Sequence, residues 1–262
     1  MRQEERMTEE QMIGWLREEA EEKYRDFSSS LLPGVPKEKI MGVRIPKLRK
    51  LAATIVREGC GEYLQAEPGN TFEEIMLRGM VIGRAGGTFE EILPRIQEYL
   101  PLIDNWSVCD SFCASLKTTE KYPEKMWEFL LECLKSDRTY TVRFAVVMML
   151  QYYVNEKYLK QVLARMEEVE TEEYYVRMAV AWAVSVCYVK APEEVLGWLV
   201  QRRLDEETWK KALQKILESR RLPAGEKERI RKLRSVYAES RAEHETTVPA
   251  AARTIVNSEY RN

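Results

Sequence analysis

The segment YTVRFAVVMML (Tyr140–Leu150) returns as YYVRMAVAWAV (Tyr174–Val184), displaced by 34 residues, with Tyr, Val, Arg, Ala and Val shared at five of the first seven positions. Both copies are apolar at helical rather than alternating spacing, so the repeated unit is a helix held in a fixed register. Carrying the register forward from Arg177 reaches Lys210 after 33 residues; carrying it back from Arg143 reaches Asp110 after 33 and Arg78 after a further 32. A period of this length is that of a helix pair. Such pairs stack, because neither helix can bury its apolar face without a neighbour. The expected fold is therefore all-α: an α-solenoid of HEAT-like helical repeats, curved, with inner helices lining a concave face. The Trp-Leu-Gly-Tyr-Ala-Phe-Pro pattern of tetratricopeptide repeats, which share this period, is absent.

Helical spacing extends beyond the repeat. In EEQMIGWLREEAEEKY, Met12, Ile13, Trp15 and Leu16 form a stripe between charges, and IPKLRKLAATIV opens with Pro46 in the first turn, where proline is favoured. Breaks are expected at Leu32–Lys37, Pro68–Asn70, Gly86–Thr88, Lys121–Pro123 and Leu222–Gly225. These imply ten or more short helices in a single domain over residues 1–238. The segment 239–262 lacks sustained periodicity and is expected to be a flexible tail, with His244 given no role.

Composition narrows the function classes. Lys and Arg number 41 against 43 acids, for a net charge of −2, which argues against a general polyanion-binding tail but allows a basic stripe on one face. The five cysteines include no CxxC pair, which points to a reducing compartment, and the single histidine leaves almost no material for a zinc site or a His-based acid/base pair. No metal and no cofactor is expected. The N-terminus is too charged for a signal peptide and no apolar run approaches a membrane span, so the expected location is cytoplasmic, at the nucleoid if DNA is bound. A monomer is favoured.

The equivalent repeat positions are Arg78, Asp110, Arg143, Arg177 and Lys210. Four of the five are basic, although Lys and Arg make up only 41 of the 262 residues. Aligned on inner helices, they would form a positive groove suited to a phosphate backbone. Asp110 is the exception. Arg143 is expected to lower its pKa, and an N-cap at Asp104 or Asn105 to assist slightly. A purely structural Asp110–Arg143 ion pair, holding adjacent repeats in register, fits the same spacing. Trp106 precedes Asp110 by four residues and shares its helix face. Trp182, Trp15, Trp127, Trp198 and Trp209 all fit core packing, as do Cys109 and Cys113.

In order and spacing, MGVRIPKLRKLA (Met41–Ala52), FEEIMLRGMVIG (Phe72–Gly83), IDNWSVCDSF and the VRFAV/VRMAVAWAV pair resemble the AlkD-like DNA alkylation repair family over about residues 10–235. These are HEAT-like helical proteins that include DNA glycosylases acting on alkylated purines. The resemblance implies duplex DNA, alkylated, as partner, and hydrolysis of the N-glycosidic bond of N3- or N7-alkylated purines. It implies Asp110 as the catalytic residue, Trp106 and Trp182 as contacts to lesion and sugar, and Arg143, with Arg177, Arg78 and Lys210, on phosphates. It also implies recognition through the backbone of the damaged nucleotide rather than through a tight base pocket. The chain departs from the pattern at Ser185, where a basic residue is expected, and in the longer, more polar stretch SSSLLPGVPKEKIMGVRIP. A non-catalytic DNA-binding HEAT protein and a protein-interaction scaffold remain the alternatives.

Overall fold

The computed structural model describes residues 7–242; the expected tail, with His244, lies almost wholly outside them. Among the described residues there are fourteen α-helices, three short 3-10 turns and no strand. The chain divides into two compact units, one ending at Phe144 and the other beginning at Ala145.

The first unit contains α1 (Glu9–Glu18), α2 (Glu22–Leu31), α3 (Ile45–Glu58), α4 (Gly61–Gln65), α5 (Phe72–Ala85), α6 (Phe89–Tyr99), α7 (Trp106–Ser115), α8 (Pro123–Cys133) and the start of α9 (Thr139–Tyr152). Side chains fix the helix starts: Thr8, Thr71 and Thr88 each form a capping box with the residue three positions on, Gln11, Glu74 and Glu91. Helix α5 packs against both α3 and α7. Their facing residues include Leu48, Leu51, Met76, Leu77, Met80, Val108 and Phe112, all buried. Each such side chain contributes about 1.5–3 kcal/mol on leaving water. The Phe112 ring lies 4.5 Å from that of Tyr99 and 5.6 Å from that of Phe144, so the aromatic core runs on into α9.

The apolar stripe at Met12–Leu16 does not continue as one helix into α2. The chain turns at Glu19–Glu21 because other partners claim this segment: the Glu21 N–H donates to the Gly42 carbonyl at 3.0 Å and the Glu21 carboxylate takes a bidentate bond from Arg44. Gly42 itself sits at φ +98°, a conformation that L side chains rarely adopt. An added Cβ there would stand 2.5 Å from the Glu21 carbonyl oxygen.

The second unit contains the remainder of α9, then α10 (Leu159–Glu168), α11 (Tyr174–Lys190), α12 (Pro192–Val200), α13 (Glu206–Glu218) and α14 (Ala224–Ala242). Helix α11 packs against α10, α12 and α13, and α13 against α14. Ala179 and Ala183 of α11 and Ala212 of α13 are fully buried, and small residues let two helix axes come close. Trp127, Trp198 and Trp209 are buried as expected of packing residues, whereas Trp15 is half-buried. The helix of α14 continues to Ala242, a few residues past the start of the expected tail.

Four contacts pair residues 31 to 33 apart: Cys109 to Tyr140, Cys113 to Phe144 and Asp110 to Arg143 join α7 to α9, and Trp198 to Glu167 joins α12 to α10.

Candidate active site

Helix α7 begins at Trp106, so the indole stands on its first turn and Asp110 one turn further along the same face. Of the two candidate caps, Asn105 performs the role: its side-chain oxygen accepts the Val108 N–H at 3.0 Å, and its amide donates to Asp104 at 2.7 Å. This fixes the first turn and with it both candidate side chains.

Trp106 is half-buried, and its Nε1 donates to the carbonyl of Leu31 at 3.2 Å. Leu31 ends α2, where helix carbonyls lack intrahelical partners. The indole is therefore pinned at one edge while part of its surface stays open to solvent.

Asp110 receives Arg143 in bidentate fashion, Nε to Oδ1 at 3.0 Å and Nη2 to Oδ2 at 2.9 Å. The guanidinium is 7% exposed and the carboxylate 21%, so the acid, not the base, faces water. The family resemblance assigns Arg143 to a phosphate, and the repeat spacing equally allows an ion pair with Asp110; here its donors meet that carboxylate. The expected lowering of the Asp110 pKa is also reversed. Burial pushes this carboxyl up, the hydrogen bonds and charge of Arg143 pull it down, and burial prevails. Burial likewise works against the Arg143 charge, but Asp110 more than restores it. Beneath the pair, Cys109 and Cys113 direct their thiols at the Tyr140 and Phe144 carbonyls, both at 3.8 Å, and behave as buried core residues. No cluster of His, Cys, Asp or Glu able to hold a metal occurs among the described residues.

Arg78 is placed elsewhere. Its guanidinium donates to the carbonyls of Tyr63, Leu64 and Ala66 at 3.3, 2.9 and 2.9 Å, closing the C-terminal end of α4. A phosphate would have to displace all three. In the second unit, Trp182 is half-buried on α11 and its carbonyl accepts the Ser185 hydroxyl at 2.7 Å. Arg177, five residues earlier on that helix, pairs with Glu207 at 2.9 Å, and Lys210 pairs with Glu206. Arg177 and Lys210 line one groove together.

The model of a family described as DNA alkylation repair enzyme matches residues 13–216. The chain belongs to that family. The matched span includes every candidate residue in both units, from Arg78 to Lys210. Comparison with curated proteins and with solved structures returned no match. For this DNA alkylation repair family member, no described helix is long and apolar enough to cross a membrane.

One structural residue escaped sequence reasoning. Glu73, in the FEEIM motif, is fully buried and its carboxylate accepts the N–H groups of Met41, Gly42 and Val43 at 2.8, 2.7 and 3.1 Å. It ties the loop before α3 to the first turn of α5, and burial, opposed by these three bonds, raises its pKa. The only hint was the doubled Glu in the first turn of α5, which reads as ordinary helix-start charge.

Proposed function

We propose that the protein is a DNA glycosylase that hydrolyses the N-glycosidic bond of N3- or N7-alkylated purines in duplex DNA, on a HEAT-like solenoid. The observation that supports it best is the Asp110 carboxylate, held at both oxygens by a buried Arg143, open to water on its outer side, and one helical turn from a half-exposed indole.

The chemistry suits those groups. An alkylated purine carries positive charge, so when its bond to C1′ breaks, the electron pair neutralises the departing base. Positive charge develops instead on C1′ and O4′ of the sugar, as in glycoside hydrolysis. A fixed carboxylate in a poorly solvated site stabilises that cation without reorganising. Water then adds to C1′ and gives up a proton, which Asp110, retaining unused lone pairs, is able to accept. Trp106 offers an indole face to a cationic base or sugar. Arg143 acts as a positioning residue: its fork fixes both carboxylate oxygens, and its charge keeps a raised-pKa acid ionised. The family resemblance further assigns Trp182, in the second unit, to the lesion and sugar, and Arg177 and Lys210 to phosphates, which each would reach only by leaving its glutamate partner.

The deciding experiment is release of 7-methylguanine from a labelled duplex under single turnover. Release by the native protein and its loss in Asp110→Asn support the reading; no release, or equal release by the variant, overturns it. Salt-sensitive duplex binding without release would leave a non-catalytic DNA-binding protein.

A further inference from the structure

The second unit contains an open groove of about 910 Å³ between α11, α13, α14 and the turn after α12. Five cations line it, Arg177, Arg202, Lys210, Lys211 and Arg234, against two carboxylates. Glu207 is paired with Arg177 and Glu206 with Lys210, which uses up both acids. Lys211 donates only to the Gln214 amide oxygen at 3.1 Å. Among the described residues, Arg202, Lys211 and Arg234 have no ion pair. Three cations without an ion pair thus share one groove of a chain whose net charge is −2.

Arg202 is built into this position rather than draped over it. Its backbone has φ +50°, the sole positive value among described residues other than glycine. Its guanidinium lies 5.0 Å from the ring centroids of both Trp209 and Tyr237. Those rings meet edge to face at 5.0 Å, and their polar ends are spoken for: Trp209 Nε1 donates to the Leu199 carbonyl at 2.9 Å and the Tyr237 hydroxyl to that of Val200. The last carbonyls of α12 are capped by the same two rings that hold Arg202 at the groove. A cation held on aromatic faces keeps its outward donors for an external acceptor.

We propose that this groove clamps the phosphodiester backbone of duplex DNA through Arg202, Lys211 and Arg234, independently of whether the duplex carries a lesion. The clamp rests on DNA as the substrate but not on base release. Arg234 and Tyr237, on α14, lie beyond the segment that matches the family model, residues 13–216. An open, elongated groove with several separate cations suits successive phosphates better than one small anion.

The test measures fluorescence anisotropy of two duplexes, undamaged and with one 7-methylguanine, over a salt series. Lys211→Ala and Arg234→Ala, both on accessible side chains, should each reduce the slope of log affinity against log salt by about one unit and weaken both duplexes by the same factor. The double variant should lose about two units, and Lys211→Glu/Arg234→Glu more affinity still. Unchanged melting temperatures verify that the variants are folded. An unchanged slope in the double variant overturns the proposal, as does weakening confined to the methylated duplex. Binding of polyglutamate but not of DNA, lost in the double variant, would assign the groove to an acidic protein and overturn it too. Failure of base release leaves these readouts intact, so the clamp and the glycosylase reading fail separately.

Discussion

At the scale of the residue, the pair Asp110–Arg143 carries two separable consequences. Removing the arginine leaves a largely buried carboxylate uncompensated, so Arg143→Ala should lower stability by about 3 kcal/mol, the low end for a broken pair because Asp110 still meets solvent. Chemical denaturation of the two proteins measures it. Removing the charge while keeping the shape, in Asp110→Asn, should slow base release by about 10²–10³-fold, as loss of one preorganised electrostatic group does in other enzymes. The pH dependence has a definite sign. In the proposed mechanism ionised Asp110 is the active form, and its pKa lies above the ordinary aspartate value because burial outweighs Arg143. Base release should therefore fall on acidification at a higher pH than an exposed aspartate would give, and a single-turnover pH profile locates that fall. The Trp106–Asp110 face was legible in sequence because i to i+4 spacing survives any packing. The direction of the pKa shift was not, since it depends on burial depth, which spacing does not encode.

At the scale of the element, the site depends on how closely α7 lies against α5. Gly83 of α5 makes that approach possible: a Cβ there would stand 2.6 to 2.8 Å from Cβ, C and O of Ser115, the last residue of α7. Two of those three atoms are backbone, so no rotamer change relieves the clash and the helix itself has to move. Gly83→Ala should therefore lower the melting temperature and also slow base release, although it touches neither Trp106 nor Asp110. A melt and a single-turnover assay on one preparation check both, and unaltered release would show that α7 tolerates the shift. Helix ends were legible as the breaks at Pro68–Asn70 and Gly86–Thr88, which precede the helices that Thr71 and Thr88 cap with their paired glutamates. The break between α1 and α2 was not readable, because the Gly42 carbonyl and Arg44, some twenty residues on, impose it. The role of Glu73 was hidden for the same reason: its three partners come from another element.

At the scale of the whole molecule, net charge and local charge point in opposite directions, and their balance is measurable. A net charge of −2 offers no long-range attraction to DNA. At physiological salt, however, charges interact over about 8 Å, so a duplex seated in the groove senses Arg202, Lys211 and Arg234 rather than the net charge of the whole chain. The repeat register pointed to this groove through Arg177 and Lys210. It missed the three unpaired cations because Arg202 lies in a turn and Lys211 and Arg234 fall outside the repeated positions. Sequence therefore located the basic surface by its members that are already neutralised. If the unpaired cations dominate, the log–log salt slope for an undamaged duplex should be about −3, one unit for each phosphate contact. Arg143→Ala should leave that slope unchanged, since its guanidinium is engaged with Asp110. A slope near zero would mean that the molecule's overall charge governs its encounter with DNA and that the basic groove has no phosphate to hold.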